Sequence, residues 1–307
     1  MASLSFFLAA MVRMATPLLI AALGLVVSER AGLMNIGVEG TMLSGAFAAF
    51  AVASFTGSYW VGMLAGIIAG GVMAMVFAVT SIHFKAPQIV IGCAINMLGS
   101  GLTAVLFRKL FFDAETGGSQ VNSFPTLTIP GLSKIPLLGE MIFSHNIIVY
   151  IGFLMVPILW FVVNRTSIGT RIIAVGEHPK AADSLGINVF TTRYLATLFS
   201  GLMMGMAGAY LSIAQSNSFN VDMTGGKGYI AMAVVVLGKW KCFGVLGGAL
   251  LFGGSNALQM TLQNMNLGIP NNLILMVPYV VTVLAVIASC KQRAVDASAK
   301  GTAYEKA

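Results

Sequence analysis

The sequence predicts an all-α polytopic membrane protein of eight or nine transmembrane helices, organised as an inverted repeat with broken short helices. Three observations predict it. The chain of 307 residues is 57% hydrophobic and only 9% charged, where a soluble domain carries about 25% charged residues. It holds 35 glycines, which suits helices that pack closely in lipid. Its apolar residues also fall in runs that, at about 1.5 Å rise per residue, reach toward the thickness of a bilayer. The net charge of +7 would direct attention to nucleic acid in a soluble protein. Here no basic stretch interleaves with aromatics, so topology accounts for the charge and no nucleic-acid partner is expected.

Nine candidate segments follow one another: Leu4–Val27, Thr41–Ala53, Tyr59–Val79, Ile89–Phe107, Asn146–Val163, Tyr194–Ala214, Tyr229–Leu237, Val245–Ala257 and Leu273–Ser289. The first is interrupted by Arg13 and bent by Pro17, and the count falls to eight if it lies partly in the interface. Arg13 is expected near one membrane surface, where its charge can snorkel to water. The only early positive charge lies beyond an apolar run, so a cleaved signal peptide is not expected.

Lys and Arg set the orientation. With the C-terminus in the cytoplasm, twelve fall inside (Arg30, Lys85, Arg165, Arg171, Lys180, Arg193, Lys239, Lys241, Lys291, Arg293, Lys300, Lys306) and four outside (Arg108, Lys109, Lys134, Lys227). The N-terminus is then outside. An external loop runs over Arg108–His145, and a charged cytoplasmic loop over Asn164–Thr192.

Two stretches resemble each other. Gly37-Val38-Glu39-Gly40-Thr41-Met42 leads into a short segment, a turn and a helix bearing Gly62, Gly66 and Gly70. Gly225-Gly226-Lys227-Gly228-Tyr229-Ile230 leads into a short segment, a turn and a helix bearing Gly244 and Gly248. By the charge bias the first copy starts inside and the second outside. Thr41–Ala53 and Tyr229–Leu237 are both too short to span alone. Paired short or glycine-broken segments mark a transport pathway, because unwound backbone survives at membrane depth only under protein or beside water. Glycine stripes alone are ordinary helix-packing surfaces. Glu39 and Lys227, each flanked by glycines, are therefore candidate path residues. Asn35, Asn96 and Asn256 join them, because amides both donate and accept and so suit an uncharged, hydrogen-bonding solute. Helix–helix hydrogen bonding is the competing role for each amide.

No covalent chemistry is expected. There is no GxxxxGK(S/T) phosphate loop, HExxH or GxSxG motif, so no catalytic residue is assigned. His83, His145 and His178 fall in predicted loops, where solvated or capping roles are expected. Cys93, Cys242 and Cys290 are scattered, so no metal or other cofactor is expected. The predicted spans contain no Asp or Glu, which argues against a proton-driven carrier.

Glu177-His178-Pro179-Lys180-Ala181-Ala182-Asp183-Ser184-Leu185-Gly186 reads as two turns of helix, with Pro179 at its start and Gly186 just past its end. Ala181 and Ala182 would give it a small face for close approach. Together with Ser28-Glu29-Arg30-Ala31-Gly32-Leu33-Met34-Asn35-Ile36-Gly37-Val38-Glu39-Gly40, this resembles the ABC importer permeases of the sugar/nucleoside type, related to the branched-chain amino acid permeases. Gly225–Lys239 resembles the second-half motif, and the similarity covers nearly the whole chain. The shorter permease of the nucleoside branch is the nearest match. The resemblance implies a second, longer paralogous permease, a cytoplasmic ATPase docking on Pro179, Lys180, Ala181, Ala182 and Gly186, an extracytoplasmic substrate-binding lipoprotein, and a bacterial inner membrane. His178 stands where the family often has Asn.

The expected layout is one transmembrane domain over 1–293, with halves near 28–107 and 194–289, and a cytoplasmic tail over 294–307. The expected function is inward passage of nucleosides or a related sugar-containing solute. A permease for simple sugars, a stand-alone secondary carrier and a membrane anchor without a pathway are the alternatives.

Overall fold

The computed structural model describes residues 2–111, 123–128, 144–265, 270–289, 300–301 and 304. Most of the expected external loop, Cys290 and most of the 294–307 tail lie outside the described residues. The helices are α1 (Ala2–Arg30), α2 (Val38–Thr56), α3 (Tyr59–Ala78), α4 (Gln88–Phe111), α5 (Ile147–Arg165), α6 (Ser167–Glu177), α7 (Pro179–Ser184), α8 (Val189–Ala209), α9 (Lys227–Leu237), α10 (Cys242–Asn264), α11 (Asn271–Leu275) and α12 (Val277–Ser289). Wider π turns extend α3 over Val79–His83 and α8 over Tyr210–Gln215. The described strands, β1 (Thr126–Thr128) and β2 (Ser144–Asn146), form one antiparallel pair with Leu127 opposite His145.

Among the described residues, six helices are long and apolar enough to cross a membrane: α1 to α5, and α8 with its π turn. Helix α10 is long enough, at 23 residues, but the amides of Asn256, Gln259 and Gln263 lower its apolarity.

The first helix is the centre of the bundle. Leu18, Leu19, Ile20, Ala21, Ala22 and Leu23 are all fully buried. A helix apolar on every side and covered on every side lies inside; α5, α8, α9 and α10 pack around it. It runs unbroken through Arg13 and Pro17, so it is a full pass and not an interfacial segment. Proline withholds an N–H and frees the carbonyl four residues before it. Here that carbonyl belongs to Arg13, and the buried Tyr210 hydroxyl donates to it at 3.3 Å. Arg13 itself is exposed and lies over the Phe6 ring.

The glycine stripe on α3 is a packing surface. A Cβ on Gly70 would meet the Gly201 carbonyl at 2.4 Å, and one on Gly66 would meet the Gly45 carbonyl at 2.7 Å. Helices α2, α3 and α8 thus touch backbone to backbone, the arrangement small residues allow where lipid offers no hydrophobic drive.

One end of the bundle collects the basic residues. Arg30 Nε donates to the Trp240 carbonyl, Trp240 Nε1 donates to the buried Glu29, and Lys300 pairs with Glu29 at 2.7 Å. Gly301 N donates to the Gly32 carbonyl, and Tyr304 packs edge-on against Phe190. At the other end Arg13, Met14, Gln215, Thr261 and Asn264 surround a cavity of about 360 Å³.

Two expectations are corrected. Thr41–Ala53 is not a broken short helix: α2 has 19 residues. Thr41 and Ser44 donate to the carbonyls four residues back, so their hydroxyls continue the helix at no cost in unpaired groups, and Gly57 ends it in the left-handed region at φ 68°. His145 is not solvated; it is buried in β2, where pairing with β1 folds the strand over the bundle.

Candidate functional site

Between Arg30 and α2 the chain runs without regular structure over residues 31–37. Such backbone needs partners from elsewhere, and α4 supplies them. Met34 N donates to Gln88 Oε1 at 2.7 Å. Asn96 Nδ2 donates to the Ile36 carbonyl at 3.1 Å, and Asn96 Oδ1 accepts from Gly40 N at 2.8 Å. Asn35 turns the chain by accepting from Gly37 N at 2.9 Å. Asn96 lies eight residues into α4, about 12 Å from the helix start at 1.5 Å per residue. The irregular segment therefore enters from the basic end, and α2 begins well inside the bundle. Gly40 is obligatory at the contact, because a Cβ there would meet the Ile95 carbonyl at 2.4 Å.

The second irregular segment comes from the opposite end, over residues 216–226. Phe219 is buried and packs against Phe47, Phe50 and Phe107. Turn bonds from Met223 N to Asn220 O and from Gly225 N to Asp222 O then carry the chain to Gly226, in the left-handed region at φ 81°. There α9 begins.

The two segments meet at Glu39. Its Oε1 accepts from Gly226 N at 2.7 Å and its Oε2 from Gly228 N at 2.6 Å. The carboxylate thus caps the amides that open α9, where the helix dipole favours negative charge. A Cβ on Gly228 would lie 2.6 Å from Glu39 N, so the starts of α2 and α9 are in backbone contact. Lys227 folds back on its own segment, with Nζ donating to the Thr224 and Met223 carbonyls. Both charges are held by irregular backbone.

Of the five polar residues singled out in the sequence, Asn35, Glu39, Asn96 and Lys227 meet at this junction. Asn256 does not; it is half-buried on α10. The spanning helices are not free of acids, because Glu29 lies inside α1 and Glu39 inside α2. The predicted spans stopped two residues short of each.

The sequence reading missed Asp222. It stands in the second irregular segment, exposed, and accepts from Ser100 Oγ at 2.8 Å. Ser100 is midway along α4, one turn past Asn96, and Asn96 Nδ2 also donates to the Tyr229 hydroxyl at 2.9 Å. The signal present in sequence was polar Ser100 within an apolar run; nothing there paired it with Asp222.

In the expected docking segment, Pro179 takes the first turn of α7 and Gly186 follows it at φ 82°. Lys180 and Ala181 are exposed. Ala182 is buried in a small cluster with Val175, Val189 and Tyr304, so the two alanines do not share an outer face. Their burial differs because adjacent helical residues point about 100° apart. His178 holds the N-cap position without a capping bond from its side chain.

A bundle of membrane-crossing helices, with irregular backbone entering from both ends and closed by one carboxylate, has the architecture of a transport protein. Residues 7–286 match the family described as branched-chain amino acid transport system / permease component, and the chain belongs to this ABC transporter permease family. It is 42% identical to a putative glucose ABC transporter permease of Haloferax volcanii, over 86% of this chain and 79% of that one. It is 39% identical to a guanosine ABC transporter permease of Bacillus subtilis, over 92% and 91%. It is 32% identical to a nucleoside ABC transporter permease of Lactococcus lactis, over 99% and 98%. Bacillus subtilis and Haloferax volcanii each hold a second related permease, both 25% identical to this chain. No solved structure matches the chain.

Proposed function

We propose that this permease forms one half of an inward path for nucleosides in a bacterial inner membrane, and that a separate cytoplasmic ATPase drives it. The observation that carries this reading is the Glu39 junction, where irregular segments from opposite ends meet inside the bundle. Such a meeting point is where alternating access places a solute. The relatives matched over more than nine-tenths of both chains carry the names of guanosine and nucleoside permeases, which favours nucleosides. The glucose permease relative supports a second reading, import of a simple sugar.

The partners in this proposal are a longer paralogous permease, an ATPase and an extracytoplasmic binding lipoprotein. Paired permeases in two relatives' organisms support the first. The exposed Lys180 and Ala181 on α7 offer the ATPase a small knob beside basic residues. The basic end, with Arg30, Lys239, Lys241 and Lys300, faces the cytoplasm by the positive-inside bias, and the C-terminus lies there.

The test is purification of the chain from its native membrane in mild detergent, followed by reconstitution. Recovery with a second permease, an ATPase and a lipoprotein, and ATP-dependent nucleoside uptake by that complex, is the expected result. Recovery alone, with uptake in vesicles lacking any ATPase, establishes a secondary carrier instead.

A further inference from the structure

The Glu39 junction explains how two irregular segments are held together, but not what a passing solute would touch. Glu39 spends both oxygens on backbone amides. Asp222 is different. It is exposed, and Ser100 occupies one of the roughly four acceptor positions of a carboxylate. It is bonded to the middle of α4, twelve residues from the helix start, or about 18 Å. A carboxylate opening outward at that depth is strongly disfavoured against lipid. This face therefore meets water or another polypeptide.

Asp222 has company. Ser100 and Asn96 are one turn apart on α4 and so lie on one face. Ser100 holds Asp222 and Asn96 holds Tyr229. Tyr229 is 50% exposed, and because its oxygen accepts from Asn96, its own hydrogen is directed elsewhere. The result is a ledge with an acceptor-only carboxylate at one side and a flat ring with a hydroxyl donor at the other.

We propose that Asp222, Ser100, Asn96 and Tyr229 form the specificity ledge of the path, and that it holds the vicinal hydroxyl pair of a sugar ring. This rests on the transport reading above. An ionised carboxylate can only accept, so it selects donors and rejects phosphates and free acids. Two neighbouring hydroxyls present two hydrogens side by side, matching its two oxygens. The Tyr229 ring then offers a surface for the apolar face of the sugar or an attached base. Nucleosides and simple sugars share this diol, so the ledge serves either.

The test uses the complete importer in proteoliposomes, comparing uptake of guanosine with that of 2′,3′-dideoxyguanosine. Wild type should favour the ribonucleoside. In Asp222→Asn the preference should fall by about tenfold or more, as for loss of a hydrogen bond to a charged group, while dideoxynucleoside uptake and ATPase activity are retained. Ser100→Ala should move the preference the same way by a smaller factor, and it guards against misfolding of the first variant. An unchanged preference in both variants, with normal guanosine uptake, overturns the ledge and leaves the transport reading standing. Loss of the second permease from Asp222→Asn also overturns it, by making Asp222 an interface residue. Wild-type importer carrying neither compound overturns the nucleoside reading. The ledge is then read from glucose uptake, which Asp222→Asn should lower about tenfold or more, and unchanged glucose uptake in that variant overturns it.

Discussion

Glu39 illustrates how one residue can join two irregular segments inside a membrane protein. A carboxylate with two backbone N–H donors at 2.6 and 2.7 Å is tied by charge-assisted bonds, worth about 1.5–3 kcal/mol each. Glu39→Ala leaves the Gly226 and Gly228 amides without acceptors and the start of α9 without its cap. Transport by the reconstituted complex should drop at least tenfold, and the melting temperature in detergent should fall. Glu39→Gln keeps the shape but can offer only one acceptor oxygen, so it should fall between wild type and Ala. Full transport in a stable Glu39→Ala complex would remove the role assigned to it. Tyr210 is a simpler case. Tyr210→Phe removes the donor to the Arg13 carbonyl and leaves that part-buried acceptor without its protein partner. A cost of about 1–3 kcal/mol follows, measurable as a lower midpoint of thermal unfolding, and Pro17→Ala in the same chain should recover part of it by restoring a local N–H.

At the scale of elements, sequence patterning was informative where a run was apolar and long, and misleading where polar residues were absorbed. Helices α3, α4 and α5 begin within one residue of the runs that foretold them. The start of α2 lies three residues before the run that foretold it, because Glu39 looks like a loop residue until its partners are known. Those partners are Gly226 and Gly228, nearly two hundred positions away, and no local pattern contains them. Asn96 was legible as an oddity inside an apolar run, but its two backbone partners were not. The α7 helix was readable from Pro179 and Gly186, whereas the opposite fates of Ala181 and Ala182 depended on Val175, Val189 and Tyr304. This difference makes a sharp prediction. Ala181→Trp projects outward and should uncouple ATP hydrolysis from transport, or release the ATPase, with no loss of thermal stability. Ala182→Trp must overfill a closed cluster and should destabilise the chain by about 1–3 kcal/mol. Equal stability of the two variants would show that the buried cluster around Ala182 does not form.

The whole molecule decides between eight passes and nine. Helix α8 starts at the basic end and its π turn finishes near Met14, where Gln215 Nε2 donates to the Met14 sulfur. Helix α9 ends at Leu237, and the turn after it brings Trp240 back to the basic end, where its carbonyl accepts from Arg30. The stretch from 216 to 240 therefore crosses the bundle, half as irregular backbone and half as an 11-residue helix. Residues 31–56 cross the opposite way on the same plan, irregular first and helical after. Helices α2 and α9 start at the same place, at Glu39, and this shared origin is the inverted repeat in physical form, although α2 runs on for 19 residues and α9 for 11. Six described helices are long and apolar enough to cross alone. With 216–240, α10 and α12 counted as crossings we propose nine passes, which places the start of α1 and the end of α12 on opposite faces of the membrane. Single cysteines introduced in a cysteine-free chain test this directly. Thr56→Cys and Lys85→Cys sit at exposed turns at opposite ends of α3, and a membrane-impermeant maleimide applied to whole cells should label only Thr56→Cys. Lys241→Cys, after the seventh pass, should behave like Lys85→Cys and react only once the membrane is opened. Labelling of Lys241→Cys from outside would mean that residues 216–240 dip in and return, which would make eight passes and place the Glu39 junction in a re-entrant hairpin.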